Sequence, residues 1–110
     1  MIQGTIIMKL NWDAYYSPEF RRGGLASTFA ISVLSLYGMP TVTVTVQHRN
    51  ADETSWTDAG NFSAITVAGN SQTDISTLKE ILRFKYEFAA GDDATDAMYF
   101  AMQAPSWRMY

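Results

Sequence analysis

Residues 41–48 alternate without a break. Val42, Val44, Val46 and His48 fall on one side; Thr41, Thr43, Thr45 and Gln47 fall on the other. Successive side chains of a strand point to opposite faces, so this predicts a half-buried strand with Val inward and Thr outward. Every residue from Thr41 to Val46 is β-branched, which suits a pleated surface and loses χ1 freedom in a helix. Residues 49–55 then supply polar turn formers, and Trp56 and Thr57 restart the pattern. The stretch 40–56 therefore reads as a β-hairpin with a charged tip.

The alternation returns twice. In 81–88, Leu82, Phe84, Tyr86 and Phe88 oppose Arg83, Lys85 and Glu87. In 98–103, Met98, Phe100 and Met102 oppose Tyr99, Ala101 and Gln103. Residues 26–37 favour a strand through Phe29, Ile31 and Val33, and the turn 38–40 is expected to pair it with 41–48. Residues 4–10 give a first strand. Residues 56–58 give a short one, broken at 59–61 and continued over 62–67, with a turn at 68–71. Residues 74–79 fit either a short strand or one helical turn. Residues 11–24 read as an irregular arm or long connection with room for a short strand. Residues 104–110 read as a tail that cannot pair after Pro105 in a central strand. About six to eight short strands, frequent turn signals and no helical stripe predict an all-β fold. The expectation is one antiparallel β-sandwich domain over 1–110, jelly-roll-like, with its core at 26–103. Irregular aromatic arms flank it at 1–25 and 104–110.

Composition narrows the function. The chain has 110 residues, 47% hydrophobic and only 17% charged, enough to bury a core without staples. Eight Lys and Arg against eleven Asp and Glu give a net charge of −3, which argues against a phosphate-tracking surface and so against a nucleic-acid partner. The absence of cysteine excludes disulfides, thiolate catalysis and Cys-ligated zinc. The first ten residues lack a secretory pattern and no apolar run approaches membrane-spanning length, so a soluble protein with no membrane partner is expected.

Candidate chemistry is sparse. His48 is the single histidine, and a triad or facial metal site would have to use it. A lone His at a strand end is more often a hydrogen-bonded structural residue. Asp92, Asp93 and Asp96 offer carboxylates for Ca²⁺ but lack a regular ligand spacing, so a solvated turn is expected. Glu53 and Asp58 flank Trp56, the raw material of a sugar site or a glycosidase pair. Gly23-Gly24 after Arg21-Arg22 is either an anion cradle or, more simply, a flexible turn. No nucleophile elbow, P-loop or dinucleotide fingerprint occurs. The reading is therefore of a protein that is not an enzyme and carries no catalytic, cofactor or metal site.

The ends are richer. Trp12, Tyr15, Tyr16, Phe20, Arg21 and Arg22 lie near the start, and Trp107, Arg108, Met109 and Tyr110 at the finish. Aromatics, Met and Arg are enriched at protein interfaces, so these ten residues are the expected contact surface. The plain counter-reading is that they fold back and plug the ends of the sandwich.

Several stretches carry a resemblance: TVTVTVQHRN with its acidic tip, SWTDAGNFSAIT, a glycine turn, and LKEILRFKYEF, bracketed by RRGGLASTFAISV and PSWRMY. Together they resemble small β-sandwich structural proteins of tailed phages and prophages, of the capsid decoration or cement type. The resemblance implies a virion protein that stabilises a phage-type head by binding across capsid subunits. Its partners would be the major capsid protein or other virion proteins, often with homo-oligomerisation as a dimer or trimer, and with no cofactor. The location implied is the capsid surface, with host cytoplasm during assembly. Discoidin-like and other carbohydrate-binding sandwiches share the strand, acidic turn, Trp and Thr pattern. They imply the alternative, a glycan-adhesion module with Trp56 or Tyr99 as stacking platform. A small hydrolase is a third reading.

Overall fold

The computed structural model describes residues 3–8, 14–38, 40–89, 97–103 and 105–108, and only the backbone of 3–8. Among these residues there is no helix. Ten strands follow in order: β1 Gln3–Met8, β2 Ala14–Tyr16, β3 Phe20–Arg21, β4 Ala26–Tyr37 and β5 Thr41–Arg49. Then come β6 Thr57–Asn61, β7 Gly69–Ile75, β8 Ile81–Ala89, β9 Ala97–Met102 and β10 Ser106–Arg108.

They form two antiparallel sheets. In the first, β4 pairs with β7 over Ser27 to Val33, with β9 over Ile31 to Tyr37, and with β10 over Ala26 to Thr28. Because β7 shares residues with both β9 and β10, those two must lie end to end on the opposite edge of β4. β1 pairs with the far edge of β9. In the second sheet, β8 runs the length of β5 on one side, and β2 and β3 lie end to end on its other side. β6 closes the far edge of β5. Each sheet is thus four strands wide: β1, β9 with β10, β4, β7 in one, and β2 with β3, β8, β5, β6 in the other.

The inner faces form one core. Val42, Val44, Val46, Leu82, Phe84, Tyr86 and Phe88 come from the β5–β8 sheet; Phe29, Ile31, Val33, Met98, Phe100 and Met102 come from the β4–β9 sheet. Ring contacts join the layers. Phe29 meets Phe84 edge-on at 5.7 Å, and Tyr86 meets Phe100 at 5.1 Å. The result is a sandwich-like all-β architecture, and the alternation in 41–48, 81–88 and 98–102 is borne out residue by residue.

Five expectations need correction. First, 26–37 and 41–48 do not pair with each other. Gly38, at φ 82°, and the buried Pro40 carry the chain from one sheet to the other instead. Second, the irregular arms carry strands. Pro18 splits β2 from β3, and both serve the free edge of β8, whose backbone groups need partners. At the other end Pro105 falls in the gap between β9 and β10, where its missing N–H costs no ladder bond. Third, β6 starts after Trp56 and runs through Ala59 and Gly60, because a bulge opposite Val46 and Gln47 absorbs the irregularity. Fourth, 62–67 is not a strand. The Phe62 N–H donates to the Val44 carbonyl and Ile65 exchanges two backbone hydrogen bonds with Val42 as an isolated bridge, and both side chains are buried. Fifth, the turn expected at 68–71 begins β7, an edge strand with mostly polar side chains and so no apolar alternation to read.

Gly23 and Gly24 are neither a cradle nor a loose turn. A Cβ on Gly23 would sit 2.7 Å from Trp107 Cδ1, and one on Gly24 would run into the Arg108 carbonyl oxygen. The pair is small so that β10 can lie against it. The Phe84 ring is the joint between layers, fully buried between Phe29 and Phe20. Phe84→Ala is expected to cost about 3–5 kcal/mol, read as a lower urea midpoint. An unchanged midpoint would mean that the layers do not depend on this contact.

Candidate functional site

Among the described residues, most of the expected contact residues at the two ends turn inward. Tyr15 packs edge-on to Phe88 at 6.2 Å, Phe20 lies on Phe84 at 5.4 Å, and Trp107 meets Phe29 edge-on at 6.1 Å. The rings of Phe20, Phe84, Phe29 and Trp107 therefore form one chain across the sandwich. Arg22 donates from Nη1 to the Leu78 carbonyl, and Arg108 donates from Nη1 to Thr28 Oγ1 at 2.8 Å. Tyr16 and Arg21 remain exposed. Trp12, Met109 and Tyr110 lie outside the described residues, as do Asp92, Asp93 and Asp96 of the acidic loop. The inward rings fit the plug that the aromatic ends also allow.

The outer face of the β5–β8 sheet carries a hydrogen-bonded polar cluster. β8 sends Arg83 outward, and the register sets it beside Gln47 on β5, which in turn faces Asp58 on β6. Arg83 Nε donates to Gln47 Oε1 at 2.9 Å, and Gln47 Nε2 donates to Asp58 Oδ1 at 3.0 Å. Above this row lie two rings. The Arg83 guanidinium carbon is 4.1 Å from the Tyr16 ring centre and 4.3 Å from that of Trp56. Arg49 lies over the same Trp56 ring at 5.1 Å. Thr45 and Gln47 point outward as the alternation predicts, yet this cover leaves both buried. The Trp56 ring, named above as a stacking platform, thus lies against two guanidiniums. Beside the row, Thr45, Asp58, Ala59, Gly60 and Asn61 line an open depression of about 230 Å³.

The hairpin tip is strapped to the chain entering β8. His48 Nδ1 accepts the Lys79 N–H at 3.2 Å. Lys79 Nζ reaches both Glu53 oxygens, at 3.1 and 3.2 Å, and Glu53 Oε1 also accepts the Asn50 N–H at 2.7 Å. Glu53 and Asp58 thus have different partners and do not act as a carboxylate pair. The Asn50 N–H and then the Lys79 ammonium hold the Glu53 carboxyl below its usual range. His48 is lowered too, first by burial and then by Lys79, while Glu53 pulls the other way. Its hydrogen bond and burial match the structural reading of a lone strand-end histidine.

The outer face of the other sheet is different. Leu34, Tyr37 and Tyr99 stand out from it at 55%, 54% and 43% exposure, on the neighbouring strands β4 and β9. Leu34 faces outward with Ala30 and Ser32 by plain alternation, and the bulge between Val33 and Ser35 adds Ser35 to that face, so that Leu36 turns inward and Tyr37 outward. Next to them Ala30, Ser32, Asn70, Gln72 and Gln103 line a shallow polar groove. Among the described residues no His, Cys, Asp and Glu group has the makings of a metal site. Sequence reasoning named Tyr99 but not Leu34, Tyr37, Arg83 or Gln47. The one visible signal was the alternation that sets Leu34 opposite Phe29, Ile31 and Val33; Tyr37 needs the bulge, and the Arg83 cluster needs strand pairing, to be seen.

The strap makes a pH prediction. Nδ1 accepts a hydrogen bond in the neutral imidazole only, and the folded pKa lies below the ordinary 6.5. The unfolded chain therefore takes up the His48 proton at higher pH than the folded one. Stability from this group is complete above about pH 6.5 and is lost as pH falls through the folded value. The urea midpoint should drop between about pH 7 and about pH 5, and less steeply in His48→Gln. Equal slopes in the two proteins would remove His48 from the account. The lowered Glu53 acts in a separate window, with stability lost as pH falls below the ordinary carboxylate range.

No protein-family model matches this chain, and no curated protein matches it either.

Proposed function

We propose that this chain is a structural protein of a virus-type particle, a capsid decoration or cement protein without a catalytic role. The observation that carries the reading is the outward display of Leu34, Tyr37 and Tyr99 on one sheet face, while Tyr15, Phe20 and Trp107 pack against the core. Large apolar side chains grouped on a sheet face are the material of a contact. The proposed mechanism is burial of that face across shell subunit boundaries, with the major capsid protein or other virion proteins as partner and the capsid surface as location.

The strand order supports a jelly-roll reading of the fold. With β2 and β3 taken as one strand and β9 and β10 as another, eight antiparallel strands follow the interleaved order of two Greek keys. Viral capsid and lectin domains both use that fold, so it leaves function to the surface. The resemblance to phage decoration proteins lies in the same strands, and it favours the particle and a homo-oligomer on it.

The test uses shells assembled without this protein and measures attachment by co-sedimentation. The Leu34→Asp, Tyr99→Asp double variant should attach at least about tenfold more weakly, because a contact centre loses two apolar anchors and gains two charges. Its thermal midpoint should hardly move. Trp107→Ala should do the reverse: attachment retained, and stability lowered by about 2–4 kcal/mol through a cavity beside Phe29. Native-strength attachment of the double variant would sink the proposed face.

A further inference from the structure

We propose that the Arg83 cluster on the β5–β8 sheet binds an acidic saccharide, with the sugar carboxylate on the Arg83 guanidinium. This goes beyond the particle reading and uses the opposite face of the sandwich. The guanidinium is already fixed. Tyr16 and Trp56 lie over it at 4.1 and 4.3 Å, and Gln47 takes its Nε–H at 2.9 Å. Its two terminal nitrogens meet no acceptor among the described residues. A planar fork held in place with its donors unspent matches a carboxylate in two-pronged geometry, with little rotamer freedom left to lose.

The surroundings select the rest of the ligand. Gln47 links Arg83 to Asp58 across three adjacent strands, and its two hydrogen bonds hold Arg83 Nε and Asp58 Oδ1 within about 8 Å of each other. A single sugar ring with its hydrogen bonds bridges that gap. Asp58 and Asn61 edge the open depression beside Gln47, with Thr45 in its lining. An Asp carboxylate can only accept hydrogen bonds, which suits sugar hydroxyls. The same charge repels a second anionic group, as does the chain's net −3. The site therefore favours one carboxylate among hydroxyls over an acidic peptide or a polyphosphate. Trp56 serves by fixing Arg83, and the sugar does not stack on it.

The full-length ¹⁵N-labelled chain is titrated with sodium glucuronate, sodium N-acetylneuraminate, glucose, sodium acetate and a glutamate hexapeptide. Signals of the Arg83 side-chain N–H and the Trp56 indole N–H report binding. At least one of the two acidic sugars should shift them saturably in the millimolar range, while glucose leaves them in place and acetate binds more weakly. Arg83→Lys keeps the charge and loses the fork, so binding should weaken at least about tenfold. Asn61→Ala, at an exposed position, should weaken it several-fold with an unchanged thermal midpoint. The proposal is overturned by no saturable shift with either acidic sugar, or by acetate binding as well as they do. Tighter binding of the hexapeptide, or native binding by Arg83→Lys, overturns it too. Should Arg83→Lys unfold, the native titrations and Asn61→Ala decide. Loss of shell attachment in the Leu34, Tyr99 variant bears on the other face alone.

Discussion

The interlock of two inner faces, β5 with β8 against β4 with β9, is what the rest of the molecule depends on. Val42, Val44 and Val46 lie cross-strand from Phe88, Tyr86 and Phe84. Short branched side chains paired with large rings fill a layer without gaps. Phe84 then reaches Phe29 and Tyr86 reaches Phe100, so the two sheets share rings and cannot slide independently. A register slip by one residue would turn every apolar side chain of β8 to solvent, which fixes the pairing strongly.

Fixing the inner face also fixes the outer one. The alternation that buries Leu82 and Phe84 must project Arg83, and the one that buries Val46 and His48 must project Gln47. Antiparallel pairing with β6 then brings Asp58 into the row. The Arg83 stack is thus a by-product of core register, made rigid by the rings of Tyr16 and Trp56. On the other sheet alternation sends Leu34 outward, and the β4 bulge then shifts the phase once, which sends Tyr37 out beside Leu34 and Tyr99 and turns Leu36 in. The two faces end up chemically unlike: one charged and hydrogen-bonded, the other apolar beside a polar groove.

The ends of the chain are where backbone demand outweighs side-chain pattern. β8 and β4 are buried central strands, and their outer edges would leave amides and carbonyls without partners. Two short pieces on each edge satisfy them, with Pro18 and Pro105 at the interruptions. Gly23 and Gly24 lack side chains where Trp107 and Arg108 pass. Tyr15, Phe20 and Trp107 consequently complete the core from its margins and behave as plugs.

The sequence by itself determined the all-β class and the inward and outward faces of β5, β8 and β9. Period-two alternation is a local property, and each of these strands carries enough apolar residues to display it. The hairpin tip was legible for the same reason, since its residues are close in sequence; the partner of His48, the Lys79 N–H, lies far along the chain and only the fold supplies it. Tertiary structure alone decided which strands pair. The chain leaves β4 for the other sheet at Gly38, and nothing local distinguishes a hairpin turn from a crossover there. It also decided that β2, β3, β7 and β10 exist, since short or polar edge strands are stabilised by neighbours' backbones and not by their own pattern. The Arg83 row joins residues from β2, β5, β6 and β8, far apart in the chain, and only the cross-strand register makes them neighbours.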